Sequence, residues 1–264
     1  MVDKLRLDWS PEVIAGRLKN IVEKKDRANK DTIYKLIFSV YGISLKKYLK
    51  YKGKKRRNNK KDDRRGRLKD RVYIDNRPEI INIRARFGDW EADFIVSKKS
   101  PCVLIVLIER KSRYIILKKL KNRNNDRVNK AIKNMLNGFC VLSLTLDNDI
   151  AFQKHKELGI MIESDVFFCH SYASWEKGSV ENVNKILRKY IKKRSDIDDY
   201  SDEFIKEIEN KINHRPRKIL NFQTPLEVLI ENANLKNKKK LIRKSNKYKK
   251  LVEKNKKTSL MFDV

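Results

Sequence analysis

The chain is poor in residues that staple or chelate. Three cysteines and three histidines among 264 residues are too few soft ligands for a zinc module, and no CxxC pair is present. Cys102, Cys140 and Cys169 are odd in number, widely spaced and set in apolar runs, so the reading is of reduced core residues rather than a disulfide framework. No apolar run reaches the roughly 18 residues that span a bilayer, and no signal-peptide-like apolar region opens the chain. A soluble, cytoplasmic protein without a membrane partner is expected. Acidic residues are also scarce relative to basic ones, 34 against 65, for a formal net charge of +31. A field of that sign attracts polyanions, which makes nucleic acid the leading partner; charge alone fits RNA as well as DNA.

What is present divides the chain into four stretches. In WSPEVIAGRLKNIVEKK, residues 9–25, Ser10 suits a helix N-cap, Pro11 the first helical position and Glu12 the positive end of the dipole. A second helical run, DTIYKLIFSVYG at 31–42, makes residues 1–50 a helical, helix-turn-helix-like DNA-binding region, with plain helix packing as the competing explanation. Residues 51–78 are almost entirely charged at first and then turn-forming, and read as a basic linker able to lie along phosphates. Asn76, Arg77 and Pro78 punctuate its end. Residues 79–230 carry the core pattern, and 231–264 form a basic C-terminal tail. No internal repeat is visible.

Within the core, strand patterns at 89–96, 102–109 and 113–120 predict an antiparallel meander. A helix follows over 124–137, capped by asparagine and closed by Gly138. A strand at 141–146, a helix at 150–158, a strand at 165–169 and a long helix from Ser179 to about Lys193 come next. Further helices are expected over 199–213 and after Thr224 and Pro225. This order is that of the ribonuclease-H-like α/β fold: a mixed five-stranded sheet flanked by helices, with the first and fourth strands side by side.

Three acids then fall on three elements. Asp93 lies in the first strand, Asp147 just past the fourth, and Glu181, 34 positions later, in the long helix. At about 100° per residue Glu181 shares the outward face with Lys185, Arg188 and Lys192, opposite Val183, Ile186, Leu187 and Tyr190. Carboxylates held together repel unless a counter-charge intervenes, and hard Mg²⁺ or Mn²⁺ suits them while leaving positions open for phosphate. Two such ions about 4 Å apart would activate the attacking oxygen and stabilise the leaving one in phosphodiester chemistry. Taken singly, each acid has an ordinary explanation: Glu181 and Lys185 as an i,i+4 surface pair, Asp147 as a turn residue, Asp93 as an arginine partner. Their joint spacing is the argument for a site.

The segments GDWEADFI, the strand ending in LDN, FFCHSYASWEKGSVENVNKILRKY and NHRPRKILNFQTPLEVL together resemble the DDE transposases of the insertion sequence 30 family, over roughly residues 9–230. The resemblance implies an integrase-type catalytic core that cleaves DNA and transfers strands, with Asp93, Asp147 and Glu181 as catalytic, metal-binding triad and two Mg²⁺ or Mn²⁺ ions. Asp89 and Glu91 are second choices. Trp175, Lys177, Asn182 and Asn184 match W-x-[RK]-G-[ST]-x-E-N-x-N and, with Lys185 and Arg188, are implied to contact DNA. The partners implied are element ends and target DNA, with a homo-oligomer as the active form and a bacterial, nucleoid-associated location. Arg215, Pro216 and Arg217 match an N-x-R-P-R-K turn, for which a structural role is at least as good a reading.

The chain departs from the pattern in places. Ala92 replaces a glycine, Val180 replaces an asparagine, and Asn148–Asp149 takes the place of a glycine turn, which raises the question of Asp147's reach. Family members usually carry a further helix-turn-helix upstream, and the chain is expected to lack it. The competing expectation is therefore a truncated, catalytically inactive remnant that binds DNA; a basic RNA-binding protein is weaker, since it gives the three acids no purpose.

Overall fold

The computed structural model describes residues 2–49, 70–170, 176, 178–233, 246 and 250. Chain contacts divide it into two units, Met1–Arg64 with His214–Val228, and Arg65–Asn213 with Leu229–Val264.

The first unit begins with α1 (Val2–Arg6), which the sequence reading missed, followed by α2 (Pro11–Ile21) and α3 (Lys30–Phe38). Ser10 caps α2 as expected, accepting from the Val13 N–H, and Asn29 caps α3 through the Thr32 N–H at 2.7 Å. Leu5, Ile14, Ala15, Ile33 and Ile37 form a small core. The connection between α2 and α3 spans residues 22–29, including a 3₁₀ turn at Lys24–Asp26. That is longer than the three or four residues of a helix-turn-helix turn. Residues 214–228, which the sequence reading set in the core, group with these helices. Lys218 pairs with Glu12 at 2.8 Å and holds its carboxyl below the usual range, and Arg17 Nη1 donates to the Phe222 carbonyl at 3.1 Å. Gly16 allows this approach, because a Cβ there would come within 2.2 Å of the Phe222 ring. The R-P-R-K turn closes on itself through Arg217 N–H to Gln223 O and Phe222 N–H to Arg217 O, both 2.9 Å.

The second unit is built on a five-stranded mixed sheet. A short helix, α4 (Glu79–Asn82), leads into β1 (Asp89–Val96), β2 (Val103–Glu109) and β3 (Ile115–Leu120), the expected antiparallel meander. Helix α5 (Asn125–Leu136) is capped by Asn124 and followed by Gly138. Then come β4 (Ser143–Leu146), α6 (His155–Ile162), β5 (Asp165–Phe168), α7 (Gly178–Leu187) and α8 (Asp202–Asn213). Helix α9 (Pro225–Asn232) begins in the first unit, where Thr224 and Glu227 cap each other reciprocally. The strand order is β3-β2-β1-β4-β5, with β4 parallel to both β1 and β5. First and fourth strands are therefore neighbours, as the element order implied.

Every residue of β2 is buried, which explains its unbroken apolar run: helices cover both sides of the sheet. On one face Ile95, Leu104, Val106, Ile108, Ile115 and Leu117 pack with Val180, Val183 and Leu187 of α7 and Ile205, Ile208 and Ile212 of α8. On the other, Phe94 stacks on Phe152 and Phe168 meets His155 of α6 edge-on. The outer edge of β3 is closed by side chains of α8. Asn213 accepts from Ile115 N–H at 2.9 Å and donates to its carbonyl at 2.8 Å, while Glu209 accepts from Leu117 N–H at 2.8 Å.

Three details differ from expectation. The predicted helix at 150–158 is a 3₁₀ turn, Ile150–Phe152, and then α6, because Asp149 caps the turn first. Helix α7 ends at Leu187 rather than near Lys193, where bonds to the third residue back replace the α pattern at Lys189 and Tyr190. Cys102 and Cys169 are buried but Cys140 is exposed, so it is not a core residue; all three are free. Most of the expected linker and tail, together with Trp175 and Lys177, lies outside the described residues. Among the described residues no helix is long and apolar enough to cross a membrane.

Candidate active site

Register, not sequence proximity, brings the first two acids together. Asp89, Trp90 and Glu91 of β1 pair with Ser143, Leu144 and Thr145 of β4. Asp93 lies two residues beyond the last of these pairs on β1, and Asp147 two residues beyond it, just past the end of β4. Alternation puts both on the sheet face that carries Asp89, Glu91, Ser143 and Thr145, the face α7 covers. There Asn184 of α7 donates its amide to Asp93 Oδ2 at 2.6 Å, and Asn184 Oδ1 is buried without a hydrogen-bond partner among the described residues.

Glu181 lies one helical turn ahead of Asn184. Its side chain is 49% exposed and pairs with Lys185 at 2.8 Å, the outward placement that the helical spacing predicted. In this conformation the three carboxylates are not gathered: among the described residues no three His, Cys, Asp or Glu side chains stand together as a metal site. The donor chemistry nevertheless fits a hard divalent cation. Asp93 on β1 and Asp147 just past β4 lie beyond the same paired register, a third acid lies on the covering helix, and a buried amide oxygen beside Asp93 has no partner among the described residues.

The turn after β4 is anchored in another way than by a glycine. Asn148 donates to the Cys169 carbonyl at 2.7 Å and accepts from Arg71, while Asp149 caps the next turn and pairs with Arg123 at 2.9 Å. Each side chain has its own anchor, and Asp147 Oδ1 accepts the Asp149 N–H at 3.2 Å. The turn is held by side chains where a glycine turn would rely on backbone freedom.

The second-choice acids point into protein. Asp89 is fully buried against Arg86 and the Ser143 hydroxyl, at 3.0 and 2.7 Å. Glu91 is fully buried against Arg110. Gly88 opens this strand at φ +100°, with Cys140 and Leu142 3.0 Å from where a Cβ would stand. Of the remaining candidates, Asn182 is exposed, and Arg188 lies just past α7 with its guanidinium lowered by burial.

Sequence reasoning missed a layer of arginines beneath these acids. Arg77, read as punctuation, is 8% exposed and donates to Thr145 Oγ1 at 3.0 Å. Arg84 donates to Ser179 Oγ at 3.1 Å, and Arg113 donates to the same oxygen. Burial, then the Arg84 charge, brings the Arg113 guanidinium down to about 10, and burial likewise lowers Arg77 and Arg84. Only a three-dimensional register reveals the pattern, since charge density in sequence reads as solvated surface.

Beyond the turn, His170 meets Asp75 at 2.8 Å and Glu176 at 2.9 Å, and Tyr73 stacks on its ring. The bond to Glu176 raises the imidazole above its ordinary value.

This sheet order, a β1-β2-β3 meander with β4 inserted parallel beside β1 and helices on both faces, is that of the ribonuclease-H-like fold. Sequence comparison narrows the class. The transposase of insertion sequence element IS4351 from Bacteroides fragilis is 35% identical over 237 residues, 86% of this chain and 71% of that protein. The transposase of IS1086 from Cupriavidus metallidurans is 31% identical, over 84% of this chain and 69% of its own length. Transposase InsI of IS30A from Escherichia coli is 28% identical, over 87% and 63%. The chain belongs to the insertion sequence 30 family of transposases. No family model matches it. Among solved structures, the catalytic core domain of BIV integrase is similar with a TM-score of 0.43 at 18% identity, covering 55% of this chain and 94% of that one.

Proposed function

We propose that Asp93, Asp147 and Glu181 are the catalytic acids of this transposase and that they hold two Mg²⁺ or Mn²⁺ ions. The observation that supports the reading is the β1–β4 register, whose last pair, Glu91 with Thr145, lies two residues before Asp93 and Asp147, together with the hydrogen bond by which Asn184 ties Asp93 to the helix bearing Glu181. Bound divalent ions would supply charge to activate the attacking oxygen and stabilise the leaving one. Asp93 and Asp147 present oxygens from rigid strands. Glu181 completes the set by leaving Lys185 and turning towards the sheet. Lys185 is thereby released towards a phosphate, and Asn182 and Arg188 flank the same helix. Trp175 and Lys177 belong to the proposed DNA contacts on sequence grounds.

In this reading DNA is both substrate and target: water frees a 3′-hydroxyl at an element end, and that hydroxyl attacks target DNA. The N-terminal helices supply further DNA affinity, the basic linker and tail follow phosphates, and two element ends require a homo-oligomer in a cytoplasmic, nucleoid-associated setting. The test is purified protein with element-end DNA. Mg²⁺-dependent nicking and joining that Asp147→Ala abolishes supports the triad. DNA bound without products, with or without Mg²⁺, would instead mark a DNA-binding remnant.

A further inference from the structure

Each of the three acids stands two residues beyond a side chain that buried or half-buried arginines hold. Glu91 precedes Asp93 and pairs with Arg110; Thr145 precedes Asp147 and accepts from Arg77; Ser179 precedes Glu181 and accepts from both Arg84 and Arg113. We propose that Arg77, Arg84, Arg110 and Arg113 form a positioning tier that fixes β1, β4 and α7 relative to one another and so sets the geometry of the metal-binding acids. This rests on the assignment of Asp93, Asp147 and Glu181 above.

The arrangement is costly as mere packing. Four guanidiniums lie near the fully buried Glu91, with buried Asp89 also acting on Arg77 and buried Glu109 on Arg113; Glu91 Oε2 has no hydrogen-bond partner among the described residues, and Arg84 Nε is likewise without one. Apolar side chains of similar volume would generally fill such space at lower cost. Arg84 and Arg113 also sit at φ 57° and 62°, in the left-handed region that non-glycine residues rarely adopt. Strain and buried like charge persist together where the surroundings over-determine the geometry.

What arginine offers that a hydrophobe cannot is a fork of several donors on a long stem. Arg77 runs from the turn at Ile74–Asn76 to β4, and Arg84 runs from the end of α4 to α7. Arg113 runs from the β2–β3 turn to α7. Arg110, from that turn, holds β1 and donates to the Ile81 carbonyl of α4 at 3.3 Å. All three acid-bearing elements are thus tied to one platform made of α4, the turn before it, whose Arg77 also donates to Asn82 of α4 at 3.0 Å, and the β2–β3 turn. Two arginines on the Ser179 hydroxyl at the start of α7 set that helix's rotation, and with it the positions of Glu181 and Asn184.

The test uses the full chain and Mn²⁺ as the probe, with bound ion read by electron paramagnetic resonance. Removing Arg110 risks folding, so the informative variants delete only the acceptor hydroxyls. Thr145→Val and Ser179→Ala are expected to weaken Mn²⁺ binding by about 10-fold or more, the scale of outer-layer losses at metal sites, with the thermal midpoint unchanged. Thr145→Ser and Ser179→Thr, which keep the hydroxyl, are expected to bind as the parent does. Asp147→Asn serves as the reference. Mn²⁺ affinity lost in Asp147→Asn but intact in both hydroxyl deletions overturns the tier and leaves the triad standing. Affinity retained in Asp147→Asn overturns the triad and the tier with it. Loss in the hydroxyl deletions that tracks a lowered thermal midpoint, or that the hydroxyl-bearing variants also show, overturns the positioning role.

Discussion

The strand acids and the helix acid are held in opposite ways. Asp93 on β1 and Asp147 just past the end of β4 lie beyond one parallel register, and each carboxylate already accepts a bond, from Asn184 and from the Asp149 backbone. Glu181 is half exposed and engaged with a lysine one turn along its own helix. Under the proposed assignment, the difference teaches how a carboxylate set would tolerate itself before a cation arrives. The sheet would prepare two members, and the third would stay on a basic partner until positive charge appears between them.

The sharpest way to break this contrast is at the sheet. Asp93→Asn and Asp147→Asn should each lower strand cleavage by at least about 100-fold, the scale on which loss of one fixed electrostatic stabiliser is felt; near-parental rates would remove the strands from the mechanism. Next comes the tie between the two regions. Asn184→Ala should reduce Mg²⁺-dependent cleavage by about 10-fold and raise the Mg²⁺ concentration needed for half-maximal rate, because Asp93 loses its donor. An unchanged Mg²⁺ requirement would separate helix from strand.

A smaller effect probes Glu181's partner. Lys185→Met should alter stability by no more than about 0.5 kcal/mol, as for an exposed i,i+4 pair, yet lower the slope of log DNA affinity against log salt by about one. A stability loss well beyond that would mean the pair is structural. The smallest concerns His170, whose pKa is raised through Glu176 and then Asp75. Its protonated form contributes stability below the ordinary value of 6.5, and that contribution fades as pH rises through the raised folded value. A ring titration followed by NMR should show a midpoint above 6.5, returning towards it in Glu176→Gln.

The strands were the most legible part of the molecule. A six-residue polar–apolar alternation at 89–94 and a wholly apolar run leave few alternatives when both faces of a sheet are to be covered. The placement of Asp93 on a strand, Asp147 just past one and Glu181 on a helix was readable for the same reason. Segment 214–228 was not, because its partners Glu12 and Arg17 lie some 200 positions away and local pattern carries no trace of them. Nor were the arginines. Arg77 and Arg110 look like their solvated neighbours in sequence, and their burial depends on Thr145 and Glu91 arriving from other elements. The early end of α7 likewise reflects a change in backbone bonding that the apolar stripe through Tyr190 conceals.

The closed edge of β3 has a consequence for assembly. An exposed border strand offers a template on which another chain can add by backbone pairing. Here Asn213 imitates a peptide group, giving and receiving at Ile115, and Glu209 takes the next outward donor at Leu117. At the far side of the sheet, Tyr73 bridges to Phe168. Copies of this core therefore cannot join by extending the sheet across β3 without first displacing α8. Any contact between copies at this edge would be made by side chains, where it can be specific, rather than by main chain, where it would be indiscriminate.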